Sequence, residues 1–89
     1  EEEEKTEFLE QVLRGTDHVL DSETVTTLEH FFTLDCNVSE TAKKLYIHRN
    51  TLLYRLDKFK NETGLDVRTF NHAVLVRLAL LLYKVTKRK

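Results

Sequence analysis

From Thr6 onward the apolar residues recur mostly at three- and four-residue intervals, the period of a helix with one buried face. Phe8, Leu9, Val12 and Leu13 give a short first helix, and Gly15 sits where a left-handed helix end would want it. A second helix is expected to start at Asp21 or Ser22, either of which can accept from the orphan amides of a first turn. It runs through Val25, Leu28, Phe31 and Phe32 to about Leu34. The β-branched run Thr24 to Thr27 would also suit a strand, but the apolar spacing beyond it follows the helical period. Asn37, followed three residues later by Glu40, resembles a capping box and opens a third helix carrying Ala42 and Leu45.

After Tyr46 and Ile47 the apolar phase breaks at His48. A new helix starting at His48 or Arg49 places Leu52, Leu56 and Phe59 on one face, and Gly64 ends it with Leu65 positioned to pack back on Phe59. A last helix over about residues 69–86 stacks Phe70, Val74, Leu78, Leu81, Leu82 and Val85. Leu75, Val76, Ala79 and Leu80 widen that stripe beyond what so small a domain covers, so it reads as a central core helix or, in part, as a homodimer seam. The basic tail Lys84, Lys87, Arg88 and Lys89 complements the negative end of this helix.

Composition supports helices throughout. The 89 residues include no proline and two glycines, too few turn formers for an all-β chain, and 40% apolar residues suffice for one core. The expectation is an all-α bundle of about four to five helices, with an acidic N-terminal segment and short linker helix over 1–20 and the main domain over 21–89. The longest apolar run, Ala73 to Tyr83 with only Arg77 interrupting, covers 11 residues, about half of a membrane span. No membrane partner is expected. Cys36 is the single cysteine, so no internal disulfide forms, and without a secretory signal pattern the expected setting is cytoplasmic.

Net charge alone misleads. The formal value is −1, yet residues 1–42 hold two basic and twelve acidic residues while residues 43–89 hold twelve basic and three acidic, giving −10 and +9. That asymmetry points to a polyanion partner for the second half. His18, His30, Cys36 and His72 lack the spacing of a zinc site, and no nucleophile triad or phosphate-cradling glycine loop occurs. Neither metal, cofactor nor catalysis is expected.

The stretch from Asn37 to Phe59, NVSETAKKLYIHRNTLLYRLDKF, joins two short amphipathic helices by a brief turn, as a helix-turn-helix requires. Ala42 lets the two backbones approach, while Leu45, Ile47, Leu52 and Leu56 fill the wedge. A step of about 100° per residue then turns Asn50, Thr51, Tyr54, Asp57, Lys58 and Asn61 outward, with Leu53 on the flank. Arg49 can grip guanine bidentately and Asn50 can pair with adenine in a major groove. Thr51, Tyr54, Lys43 and Lys44 suit phosphates, which fix register without reading sequence. An outward Asp57 would repel phosphates, so groove contact should end by the second turn. His48 is either a cap or a contact residue, and Arg55, nearer the inner face, is expected to pack.

The run SETAKKLYIHRNTLLYRL, followed by NETGLD and an apolar helix, resembles the C-terminal helix-turn-helix of the PucR/CdaR family of regulators over about residues 24–82. Over the two-helix unit alone it also resembles the Fis helix-turn-helix. The family resemblance implies a bacterial transcription factor that binds double-stranded DNA sequence-specifically, with its effector-sensing domain N-terminal to this piece. It also implies that HRNT begins the recognition helix, making His48, Arg49, Asn50 and Thr51 DNA-facing; Lys43, Lys44, Leu53, Tyr54 and Lys58 complete the candidate set. Two positions depart from the pattern: Leu53 stands where relatives often carry a basic residue, and Tyr46 holds a turn position often given to glycine. The expected active form is a homodimer presenting two recognition helices about 34 Å apart. The alternative is a helical protein-interaction or dimerisation module that does not bind DNA.

Overall fold

Three of the four helices among the described residues begin at a side chain that satisfies the amides of their own first turn. The structure, a computed structural model, describes residues 19–87, the last two by backbone alone. It holds α1 (Ser22–Thr33), α2 (Val38–Leu45), α3 (Arg49–Thr63) and α4 (Phe70–Lys87), and among the described residues no strand. The helix expected around Phe8 to Leu13 lies outside the described residues. Thr24 N–H donates to the Asp21 carboxylate at 2.8 Å, Glu40 N–H to the Asn37 side-chain oxygen at 2.8 Å, and Asn50 N–H to Nδ1 of His48 at 3.0 Å. The Thr24 to Thr27 run is therefore helical. The anticipated capping box is only half made, because Asn37 N–H donates to the Leu34 carbonyl at 3.1 Å and the Glu40 side chain reaches Lys43 instead.

All four helices contribute to one core: Leu28 and Phe31 from α1, Ala42 from α2, Leu52, Leu56 and Phe59 from α3, and Val76 and Leu80 from α4. Leu20, Leu65 and Val67 close it from the connecting segments, and Leu65 joins the same cluster as Phe59, as expected of a glycine-stopped helix. Gly64 takes that stop at φ 79°. Ala42 is buried in this core, where a larger side chain would have to displace its close-packed neighbours.

The last helix is oriented differently from the sequence expectation. The stripe formed by Phe70, Val74, Leu78, Leu81, Leu82 and Val85 is exposed, and the core takes the opposite face: Val76, Ala79 and Leu80, with Leu75 and Tyr83 half-buried beside them. Both faces are apolar, so periodicity could not choose between them. The packing of α1 against α4, with Lys84 bonded to Glu29 at 2.8 Å, sets the rotation.

The turn between α2 and α3 has a specific construction. Tyr46 adopts φ 57° and ψ 42°, the left-handed conformation that glycine usually supplies, and its side chain stands in solvent. Ile47 N–H donates to the Ala42 carbonyl at 3.0 Å and Tyr46 N–H to Lys43 at 3.1 Å, satisfying the carbonyls orphaned at the end of α2. Tyrosine thus makes the turn of a glycine, at a steric cost of about 1–2 kcal/mol for an L-residue.

Ion pairs tie the frame together. Arg55, expected to pack through its stem, donates to Thr27 Oγ1 at 3.2 Å and to Glu23 at 3.1 Å, joining α3 to α1 by polar contacts. Arg68 joins Asp57 of α3 at 2.7 Å and Asp66 at 3.1 Å, while Asp66 N–H donates to Nδ1 of His72 at 2.9 Å. The Arg68 backbone N–H, its guanidinium and then the charge of Lys60 hold the Asp66 carboxyl below the ordinary carboxylate range. Bonds from the Thr24 backbone and hydroxyl do the same for Asp21, with Lys58 adding a favourable charge.

Two outcomes follow from these local geometries. Replacing Tyr46 by Gly should raise stability by about 0.5–1 kcal/mol, the left-handed strain relieved less the extra chain entropy of glycine, and the melting temperature should rise by several degrees; a lower one would contradict the strain assigned here. For acid, both folded carboxyl values lie below the unfolded one, so their stabilisation is complete above a pH of about 4 and is lost as pH falls through the depressed values. Thermal melts below that pH should decline less steeply for Asp66→Asn than for the parent chain.

Candidate nucleic-acid interface

The helix-turn-helix is formed by α2, the Tyr46–Ile47 turn and α3. Because Leu52, Leu56 and Phe59 are drawn inside, residues on the opposite side of the helical wheel are turned to solvent. His48, Arg49, Asn50, Thr51, Tyr54 and Lys58 are all exposed, as are Lys43 and Lys44 at the end of α2. Leu53 is half-buried on the flank. The predicted candidates are therefore exposed on α2 and α3, apart from half-buried Leu53.

His48 is the N-cap of α3: its Nδ1 accepts from Asn50, so a neutral ring carries its proton on Nε2 and offers that donor outward. The first turn of α3 contains no acidic residue, which leaves the positive end of its dipole uncompensated. Arg49 and Asn50 sit on that turn with their side chains free of intramolecular hydrogen bonds.

The distribution of paired and unpaired cations is the informative feature. Among the described residues Arg55, Lys60, Arg68 and Lys84 are each neutralised by a carboxylate, whereas Lys44, Arg49 and Lys58, all on the helix-turn-helix, and Arg77 on α4 have no ion pair. Lys43 reaches Glu40 only at 4.0 Å, with both side chains largely exposed, a contact worth little. Glu23 and Glu29 of the acidic first half, with Asp57 and Asp66 of the second, thus take Arg55, Lys84, Lys60 and Arg68, and leave Lys44, Arg49 and Lys58 of the helix-turn-helix without an ion pair.

Asp57 needs a corrected account. It is exposed, as the helical wheel implies, but it is bonded to Arg68 and is not an isolated repulsive charge at the edge of the interface. Sequence reasoning missed Arg68 because the two residues are 11 apart and meet only through the loop after Gly64. No group of His, Cys, Asp and Glu among the described residues could hold a metal ion, and no helix there is long and apolar enough to cross a membrane. A cleft of about 350 Å³ lies between the start of α1 and α3, but its rim mixes Asp21, Glu23 and Glu62 with Arg55 and Lys58. It offers no convergent set of one charge.

Comparison with known proteins agrees with this geometry. The family model for the PucR C-terminal helix-turn-helix domain matches residues 24–82, from α1 into α4. The purine catabolism regulatory protein of Bacillus subtilis (strain 168) is 39% identical over 59 residues, covering 66% of this chain and 11% of that protein. The proline-responsive transcriptional activator PutR of the same organism is 33% identical over 88 residues, covering 92% of this chain and 21% of that protein. The carbohydrate diacid regulator of Escherichia coli (strain K12) is 43% identical over 56 residues, 63% of this chain and 14% of that protein. This chain therefore spans about a fifth or less of the length of these relatives. A crystal structure of a regulator of polyketide synthase expression from Bifidobacterium adolescentis superposes with a TM-score of 0.80 at 29% identity, over 90% of this chain and 35% of that one. The capped third helix, the left-handed turn before it and a match running from α1 into α4 have one common meaning: this chain belongs to the family of PucR C-terminal helix-turn-helix domains.

Proposed function

We propose that this domain is the sequence-specific, double-stranded DNA-binding output module of a cytoplasmic bacterial transcription regulator, active as a homodimer and governed by an effector-sensing region N-terminal to it. The observation that carries the reading is the set of exposed, unneutralised cations Lys44, Arg49 and Lys58 around a recognition helix whose first turn also presents Asn50 and Thr51. In a major groove Arg49 would bond a guanine edge and Asn50 an adenine edge. Lys43, Lys44, Thr51, Tyr54 and Lys58 would hold phosphates and fix the register. His48, committed through Nδ1 to the cap, would donate from Nε2 to a phosphate or a purine acceptor, and Leu53 would offer apolar contact at the flank. The relatives are named a purine catabolism regulatory protein, a proline-responsive transcriptional activator and a carbohydrate diacid regulator, and their much greater length supports a separate sensing region.

The competing reading, a helical protein-interaction module, uses the same basic surface against an acidic partner. Substitution separates the two. Arg49→Ala and Asn50→Ala should each lower affinity for a selected operator by about 1–3 kcal/mol and flatten preference at one base position, with the melting curve unchanged. Lys44→Ala should weaken binding to every sequence alike and reduce the steepness of the salt dependence by about one phosphate contact. Retention of full operator preference by both α3 variants, or affinity indifferent to salt, would overturn the DNA reading.

A further inference from the structure

The α4 face turned away from the core is more apolar than its own domain requires. Phe70, Val74, Leu78, Leu81, Leu82 and Val85 are 81%, 41%, 42%, 47%, 43% and 68% exposed. Among them Val74, Leu78, Leu81 and Val85 are spaced four, three and four apart, the a/d pattern of a heptad repeat, and Asn71 extends the a positions toward the helix start. We infer that this face is where a second copy of the chain docks, the two α4 helices lying side by side and parallel. The inference rests on the homodimer reading above and gives that dimer its surface.

Area and charge favour a second copy as the occupant. The exposed apolar stripe amounts to something on the order of 500 Å², the size of patch that on a monomer is often functional. Pairing two would bury about 1,000 Å² in all, the size of a weak, reversible interface. The flanks of the stripe are unlike: Arg77 and Lys84 follow one side, Leu75 and Leu82 the other, and no acidic residue occurs on α4. In a parallel two-fold pair the first flank of one helix meets the second flank of the other. Arg77 then lays its hydrocarbon stem along Leu82 of the second copy, and no like charges face each other. An antiparallel pair would instead bring the two basic flanks together and leave Leu75 and Leu82 without the Arg77 stem beside them. Asn71, exposed at an a position, would meet its counterpart and fix register, as a lone polar a residue does in parallel dimers. Two heptads suffice here because α4 is already held by its own core and needs no separate nucleation.

Sedimentation of the whole 89-residue chain without DNA, from micromolar to near-millimolar concentration, tests the seam. The parent should associate reversibly to a dimer, and Leu81→Glu should weaken that association at least about tenfold with helix content retained. Val85→Lys, at a more exposed position, gives the same reading should Leu81→Glu disturb folding. In a Cys36→Ser background, Val85→Cys should cross-link to its counterpart in the second copy under mild oxidation, since symmetric a positions lie within disulfide reach. A parent that stays monomeric, its stripe covered by residues 1–18 or by a different protein, overturns the inference, as does association unchanged in both variants. Dissociation by Leu81→Glu without cross-linking at residue 85 overturns the parallel register. Failure here stays distinguishable from failure of the DNA reading: a monomer that selects an operator sinks only the seam, and a dimer without sequence preference sinks only DNA recognition.

Discussion

The contact between α2 and α3 governs the molecule, and it is fixed by one backbone feature. Tyr46 in the left-handed region bends the chain so that Ile47 N–H returns to the Ala42 carbonyl, and the small Ala42 side chain lets the two helices close over Leu52. The bend delivers His48 in an extended conformation at the start of α3, where its ring caps the helix. Once that cap is set, the inward pull on Leu52, Leu56 and Phe59 determines which residues face out. Every candidate contact residue on α3 inherits its direction from that turn.

Charge acts as a second layer on this frame. Carboxylates from both halves pair with particular basic residues of the second half. Glu23 takes Arg55, Glu29 takes Lys84, and the carboxylates of Asp57 and Asp66 share Arg68. These bonds join α1 to α3, α1 to α4, and the loop before α4 to α3. The frame thereby consumes the basic residues that would otherwise blur the electrostatic footprint, and the residual positive charge on the helix-turn-helix lies on Lys44, Arg49 and Lys58. A near-neutral chain can in this way present a local attraction for a polyanion.

The apolar surplus of α4 fits the economy of a small domain. A core built from short helices has room for one face of an 18-residue helix, and Val76, Ala79 and Leu80 fill it. A helix apolar on both faces is unusual on the surface of a monomer, and small domains gain stability by association.

Local signals were enough to give the four helices among the described residues, the cap at Asn37, the glycine stop at residue 64 and the helix-turn-helix with its outward residues, while leaving the first cap between Asp21 and Ser22 and His48 between cap and contact. Each of these depends on interactions within a few residues or on a single inward face, so periodicity and capping chemistry reveal them. The family was legible for the same reason, being written in one contiguous block. Tertiary structure alone decided which side of α4 is buried, because that helix is apolar on both and only packing against α1 selects its rotation. It alone matched Arg68 to Asp57 and Arg55 to Glu23, since pairs separated by 11 and 32 residues leave no periodic trace in a sequence.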